Sequence, residues 1–118
     1  MTSLQAALDR ADALGAEGRF FDAHEELEAF WMKAAGDEKI LLQGLIQIAA
    51  GLHRLKLDPS KTDGAFYLLD RGSEKLMKAG RLLVPETLAV LDRTLKTIRA
   101  SGKAPSALTF RLKERTND

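Results

Sequence analysis

Apolar positions recur every three or four residues along nearly the whole chain, the spacing of amphipathic helices. Leu4, Leu8, Ala11 and Leu14 form a first stripe that Ser3 can cap and Gly15 and Gly18 end. The spacing predicts a second helix from Phe20 or Asp22 to about Ala35, broken by Gly36-Asp37. A third runs from about Glu38 to Leu57, where Asp58-Pro59 stops it. A fourth spans about Asp63 to Ala79 with Gly80 as its stop, and a fifth starts at Pro85 and carries Leu88, Leu91, Leu95 and Ile98. Beyond the linker Ser101-Gly102-Lys103-Ala104-Pro105, Leu108, Phe110 and Leu112 alternate with Thr109, Arg111 and Lys113. That period of two is strand-like, but one lone strand makes no sheet. The predicted fold is all-α: a single-domain bundle of about five helices over residues 1–100. Residues 101–118 form a C-terminal tail, either extended on a bundle groove or disordered.

The third helix differs from the others. Ile40, Leu41, Leu42, Leu45, Ile46, Ile48, Ala49, Ala50 and Leu52 surround its axis almost completely. A helix apolar all round belongs at the centre of a bundle. Gly44 and Gly51 sit seven apart on one face, each costing up to about 1 kcal/mol against alanine in a helix interior. A close helix contact offsets that cost, and Gly72 on the fourth helix, among Ala65, Leu69, Leu76 and Ala79, offers a matching surface.

Composition narrows the class. The 118 residues fit one domain, and 45% apolar with 30% charged residues is ordinary for a globular protein. The net charge of +1 excludes a strongly basic nucleic-acid binder. Residues 1–57 hold six basic and nine acidic side chains and residues 58–118 hold twelve and eight, a modest asymmetry. Cysteine is absent, which rules out disulfides and thiolate sites and fits a reducing compartment. Met1-Thr2-Ser3-Leu4-Gln5 lacks the pattern of a secretion signal, and the longest uncharged run, Ile40 to His53, is shorter than the about 20 residues of a membrane span. The expectation is a cytoplasmic protein with no membrane and no nucleic-acid partner.

Candidate chemistry concentrates in the second helix. At about 100° per residue, Phe20, Leu27, Glu28, Trp31 and Ala35 all lie within roughly 60° of His24. This phase places His24 and Glu28 inside the apolar stripe, four residues apart and able to pair, and Glu26 on the far side. Asp22 and Glu25 read as an N-cap and its capping box. On the third helix Gln43 and Gln47 share a face with Gly44, Ala50 and Gly51, and buried glutamines need partners, which His24 and Glu28 could be. His53 lies on another face with Leu42, Ile46 and Ala49, so a site holding both histidines would need at least three helices. His-Glu-x-x-Glu is like the zinc-protease signature without its second histidine. A His-x-x-x-Glu order reverses the Glu-x-x-His of di-iron bundles, and no second copy is present.

Phe21-x-x-His24-Glu25-x-Leu27-Glu28-x-x-Trp31, followed by Gln43-Gly44-Leu45-Ile46-Gln47 and then His53, resembles the domain of unknown function 309 family, small and mostly bacterial helical proteins. The resemblance covers roughly Arg19 to Leu76. It implies an all-helical bundle of about five helices and a cluster of signature polar residues, and it implies no activity. After His53 the family tends to carry a short Gly-Asn turn, whereas here residues 54–63 rebuild that turn and keep only the Gly64-Ala65 step.

Two functions compete on this reading. One is a small non-enzymatic binding or interaction module with a buried polar cluster of His24, Glu25, Glu28, Trp31, Gln43, Gln47 and His53 between the second and third helices. That cluster would bind a small polar or ionic ligand without a cofactor, or lock the bundle. The alternative is a metal-dependent hydrolase with His24, Glu28 and His53 on a divalent metal and Glu25 as general base. A homodimer through leftover apolar surface of the first and fifth helices is a further expectation.

Overall fold

The computed structural model describes residues 2–108 and 111–115. Five helices follow one another: α1 Ser3–Ala16, α2 Phe20–Trp31, α3 Gly36–Leu57, α4 Asp63–Ala79 and α5 Pro85–Ser101, with a single 3-10 turn at Gly80–Leu82 between the last two. Thr2 rather than Ser3 caps α1, its hydroxyl accepting the Gln5 amide at 3.0 Å. Gly18, at φ +73°, makes the left-handed turn into α2. That helix starts at Phe20, two residues before the expected capping box. Asp22 therefore lies in its first turn and accepts from Arg19 Nε at 2.9 Å instead of capping. These bonds to Asp22 and then Glu17 raise the Arg19 pKa further above its ordinary value. α2 ends at Trp31, four residues early, in a turn whose Lys33 and Ala34 amides reach back only three residues, and Gly36 at φ +61° opens α3. Asp37 and Glu38 in the first turn of α3, with Arg54 and Lys56 in its last, complement the helix dipole.

α3 is the central element. Leu41, Leu42, Leu45, Ile46, Ile48, Ala49, Leu52 and Leu55 are buried over roughly half of its circumference, Gly44 and Gly51 widen that face, and Gln43, Gln47 and Ala50 on the remainder are half-buried. It packs most extensively with α4 and then with α2, and α1 packs on α2. Glycine sets the α3–α4 distance. A Cβ added at Gly72 would lie 2.6 Å from Ile48 Cγ1 and 2.7 Å from the Gly44 carbonyl oxygen, and one at Gly44 3.0 Å from Lys75 Cβ. At the other end a Cβ on Gly51 would meet the Ala65 carbonyl and Leu69 at 3.0 Å. The pairs Gly44/Gly72 and Gly51/Ala65 fix an antiparallel register with the two backbones close together.

α5 buries Thr87, Leu91, Leu95 and Ile98 and ends on Gly102 at φ +69°. Arg99 joins it to α4, reaching Asp70 at 3.3 Å and lying 4.2 Å over the Phe66 ring. The tail is docked, bending at Ser106 and Ala107 and turning at Arg111, whose φ is +51°. Leu112 is buried and Leu108 half-buried, with Arg111 and Lys113 exposed, as the alternation requires. Thr109 and Phe110, which the alternation also assigned, lie outside the described residues. Among the described residues there is no strand, only an isolated antiparallel bridge between Leu83 and Glu114, and no helix is long and apolar enough to cross a membrane.

The glycine contact makes a direct prediction. Gly72→Ala should destabilise the protein by about 1–3 kcal/mol despite alanine's better helix propensity, because backbone rather than a flexible side-chain end stands in the way. Urea unfolding followed by circular dichroism measures it. A neutral or stabilising result would mean that α3 and α4 are farther apart than described.

Candidate functional site

The core face of α2 is set by Phe20, Ala23 and Leu27, all buried. At about 100° per residue these three lie on one side of His24 around the helix axis, and Phe21, Glu25 and Glu28 lie on the other. His24 is therefore at the boundary of the core, not at the centre of the stripe. The expected phase was off because it was anchored on His24 and gave no weight to Ala23, a small residue that faces inward.

The consequences are measurable. His24 Nε2 and Glu28 Oε1 are 2.9 Å apart, so the expected i, i+4 pair forms. The histidine side chain is 22% exposed and the carboxylate 51%, so the pair is not a buried cluster. Nε2 meets Glu28, and the other ring nitrogen, Nδ1, is buried with no hydrogen-bond partner among the described residues.

Phe21 is the organising residue of this face. Its ring lies 5.6 Å from the His24 ring and 5.2 Å from the His53 ring, tilted to both. Both separations are in the range of favourable aromatic pairs. The two histidines thus meet one ring from two helices, α2 and α3, rather than needing three. The ring is still 47% exposed. Leu57, one turn beyond His53 on α3, is 74% exposed and extends the apolar surface. Phe21, His24, Glu25 and Glu28 have the i, i+3, i+4, i+7 spacing of one helix face. That spacing is the sequence signal that joins Phe21 to the site.

The remaining expected members are elsewhere. Glu25 is exposed on the same face. Trp31 is half-buried against the core, with Lys39 Nζ 4.3 Å over its ring. Gln47 lies three residues from Gly44 and four from Gly51, the two positions in contact with α4. It therefore belongs to the α4 side of α3, where its Oε1 is buried without a hydrogen-bond partner. Gln43, one turn before Gln47, is half-buried. The expectation that both glutamines partner His24 and Glu28 needed the small-residue face of α3 to meet α2, and the glycines take that face to α4. Among the described residues no three His, Asp or Glu side chains converge as a metal site, and both imidazoles pack on the Phe21 ring.

The family model described as Domain of unknown function (DUF309) matches residues 8–66, half of the chain. The chain belongs to this family. The match begins in α1, ahead of the Arg19 start expected from the motifs, and ends just inside α4. It includes every residue of the Phe21 face and stops short of Gly72. No curated protein and no solved structure matches the chain.

An exposed ion pair contributes little to stability, so the Glu28 substitution separates a surface site from a structural lock. Glu28→Ala should change the unfolding free energy by no more than about 0.5 kcal/mol. Leu27→Ala, one residue away and fully buried, should cost about 2–5 kcal/mol. Chemical denaturation of both variants measures the contrast. Equal losses at the two positions would show that Glu28 is part of the core.

Proposed function

We propose that this protein is a small non-enzymatic binding module and that the face built by Phe21, His24, Glu25, Glu28 and His53 holds its ligand. The observation that carries this reading is the half-exposed Phe21 ring in contact with two imidazoles, one from α2 and one from α3. A large aromatic side chain kept in water and fixed in orientation is costly to leave open and is suited to contact. The carboxylates of Glu25 and Glu28 flank it. Aromatic face and carboxylate together favour a cationic group, a guanidinium or ammonium carried by a small molecule or a partner's side chain. The ion pair with Glu28 also sets the His24 ring, which supports a preformed surface rather than one assembled on binding.

The lack of cysteine favours the cytoplasm as the place of action. The large exposed apolar side chains among the described residues are Phe21, Met32, Leu57, Tyr67, Met77 and Val90. One is on α5 and none on α1, so self-association through those two helices has less support than ligand binding at the α2 face.

The chain has only two histidines, so the test is clean. In a proton NMR titration with N-acetyl-argininamide, the ring protons of both His24 and His53 should shift and saturate. Phe21→Ala should weaken that binding by about three- to tenfold, the range of a cation–π contact. Glu28→Gln should weaken it as well. If neither imidazole responds, or if neutral N-acetyl-glutaminamide shifts them equally, the reading fails.

A further inference from the structure

The C-terminal segment is held by a groove that recognises backbone. Gln5 on α1 turns its side-chain amide to the chain: its Nε2 donates to the Leu112 carbonyl at 3.1 Å and its Oε1 accepts from the Glu114 amide at 2.8 Å. One primary amide therefore does what a peptide unit of a neighbouring strand does. The opposite wall is the segment 82–84. The Val84 amide donates to the Lys113 carbonyl at 2.8 Å, and the Arg115 amide donates to the Leu82 carbonyl at 2.7 Å. Asp12 accepts the Leu112 amide, and Thr2 donates to the Glu114 carboxylate. Five of these bonds use only main-chain atoms of the tail, the signature of strand addition.

Recognition of apolar tail side chains is limited to leucine. Leu112 is buried, and Arg111, Lys113 and Arg115 are exposed. Leu108, four residues earlier, lines with Leu112 a residual apolar cavity of about 50 Å³ whose floor includes Phe20, Leu45 and Leu91. The two leucines thus leave space that a bulkier apolar side chain would fill. Upstream, the Leu108 amide donates to the Gly15 carbonyl at 2.8 Å, and Gly15 and Gly18 give room for the tail backbone that any Cβ would close.

We propose that this groove is a peptide-docking site whose built-in occupant is the chain's own C-terminal segment, and that an extended partner segment with a large apolar residue in the place of Leu112 displaces it. The tail's advantage is its tether. A short flexible connection supplies an effective concentration on the order of millimolar, not a better fit. A partner with the same backbone pattern and a fuller side chain competes on contacts alone. This site is separate from the Phe21 face and does not depend on the reading of that face.

The test uses the full-length chain. Leu112→Asp puts a charge into the apolar pocket and opens the groove. A dye-labelled peptide with the sequence of residues 103–118 is titrated against wild type and L112D, with fluorescence anisotropy as the readout. L112D should bind the peptide at least tenfold more tightly than wild type, and a peptide that itself carries L112D should not bind. If L112D loses its helical circular dichroism signal, Glu114→Pro replaces it, since it removes the amide that donates to Gln5 and the carboxylate that Thr2 meets and leaves the leucine pocket unchanged. Absence of binding to a folded, opened variant overturns the proposal. Equal affinity for wild type and variant overturns it too, because the peptide then binds elsewhere. A wild-type dimer by light scattering that becomes monomeric in E114P would assign the groove to the tail of a second copy and overturn the partner reading.

Discussion

The rest of the structure depends on how closely α3 and α4 approach. The Gly44 carbonyl and the Gly72 backbone meet with no room for a methyl group between them. Glycine in a helix interior costs stability that only tertiary contact can offset. Bringing the axes together covers one side of a helix that is apolar all round. It does so with small residues and Ile48, and the other large Leu and Ile side chains of α3 fill the shared core. The direction of every other face of α3 follows from that choice. The side bearing Ile46, Ala49 and His53 turns toward α2, and His53 arrives at the Phe21 ring.

The candidate site is therefore a by-product of core geometry in position but not in composition. Nothing about packing requires a half-exposed phenylalanine in contact with two imidazoles, or a carboxylate held on one of them. A solvent-exposed ion pair adds little to stability because water screens the attraction and both side chains lose freedom. Polar residues at the margin of the core, where burial neither demands nor forbids them, are the ones whose chemistry is available for contact. The His24 ring shows this margin within one side chain: Nδ1 is buried and Nε2 meets an exposed carboxylate.

The tail and the site share a common anchor. Lys56, three residues past His53 and so on the same side of α3, donates to the Gly18 carbonyl at 3.1 Å and reaches the Ser106 carbonyl at 3.4 Å. The last turn of α3 thus ties the turn that launches α2 to the segment that crosses it. Gly15 and Gly18 act twice, ending α1 and letting the tail backbone lie against that turn.

The sequence alone determined what is local and periodic. Helix existence, the starts of α4 and α5, the central place of α3 and the pairing of His24 with Glu28 all follow from spacing along the chain, which is blind to neighbours. The Gly44, Gly51 and Gly72 contact was legible because glycine at helical spacing has few other uses. Tertiary structure decided everything that depends on which face meets which helix. Periodicity gives the angle between two side chains on a helix but not the direction of the core, and an error of about 60° moved Glu28 from the interior to the surface. Gln47 went to α4 instead of α2 for the same reason. The tail's alternation of apolar and polar residues specified an extended segment, yet not its partner. The partner is an amide side chain 107 residues away from Leu112, and no local pattern announces that Gln5 will take the place of a strand.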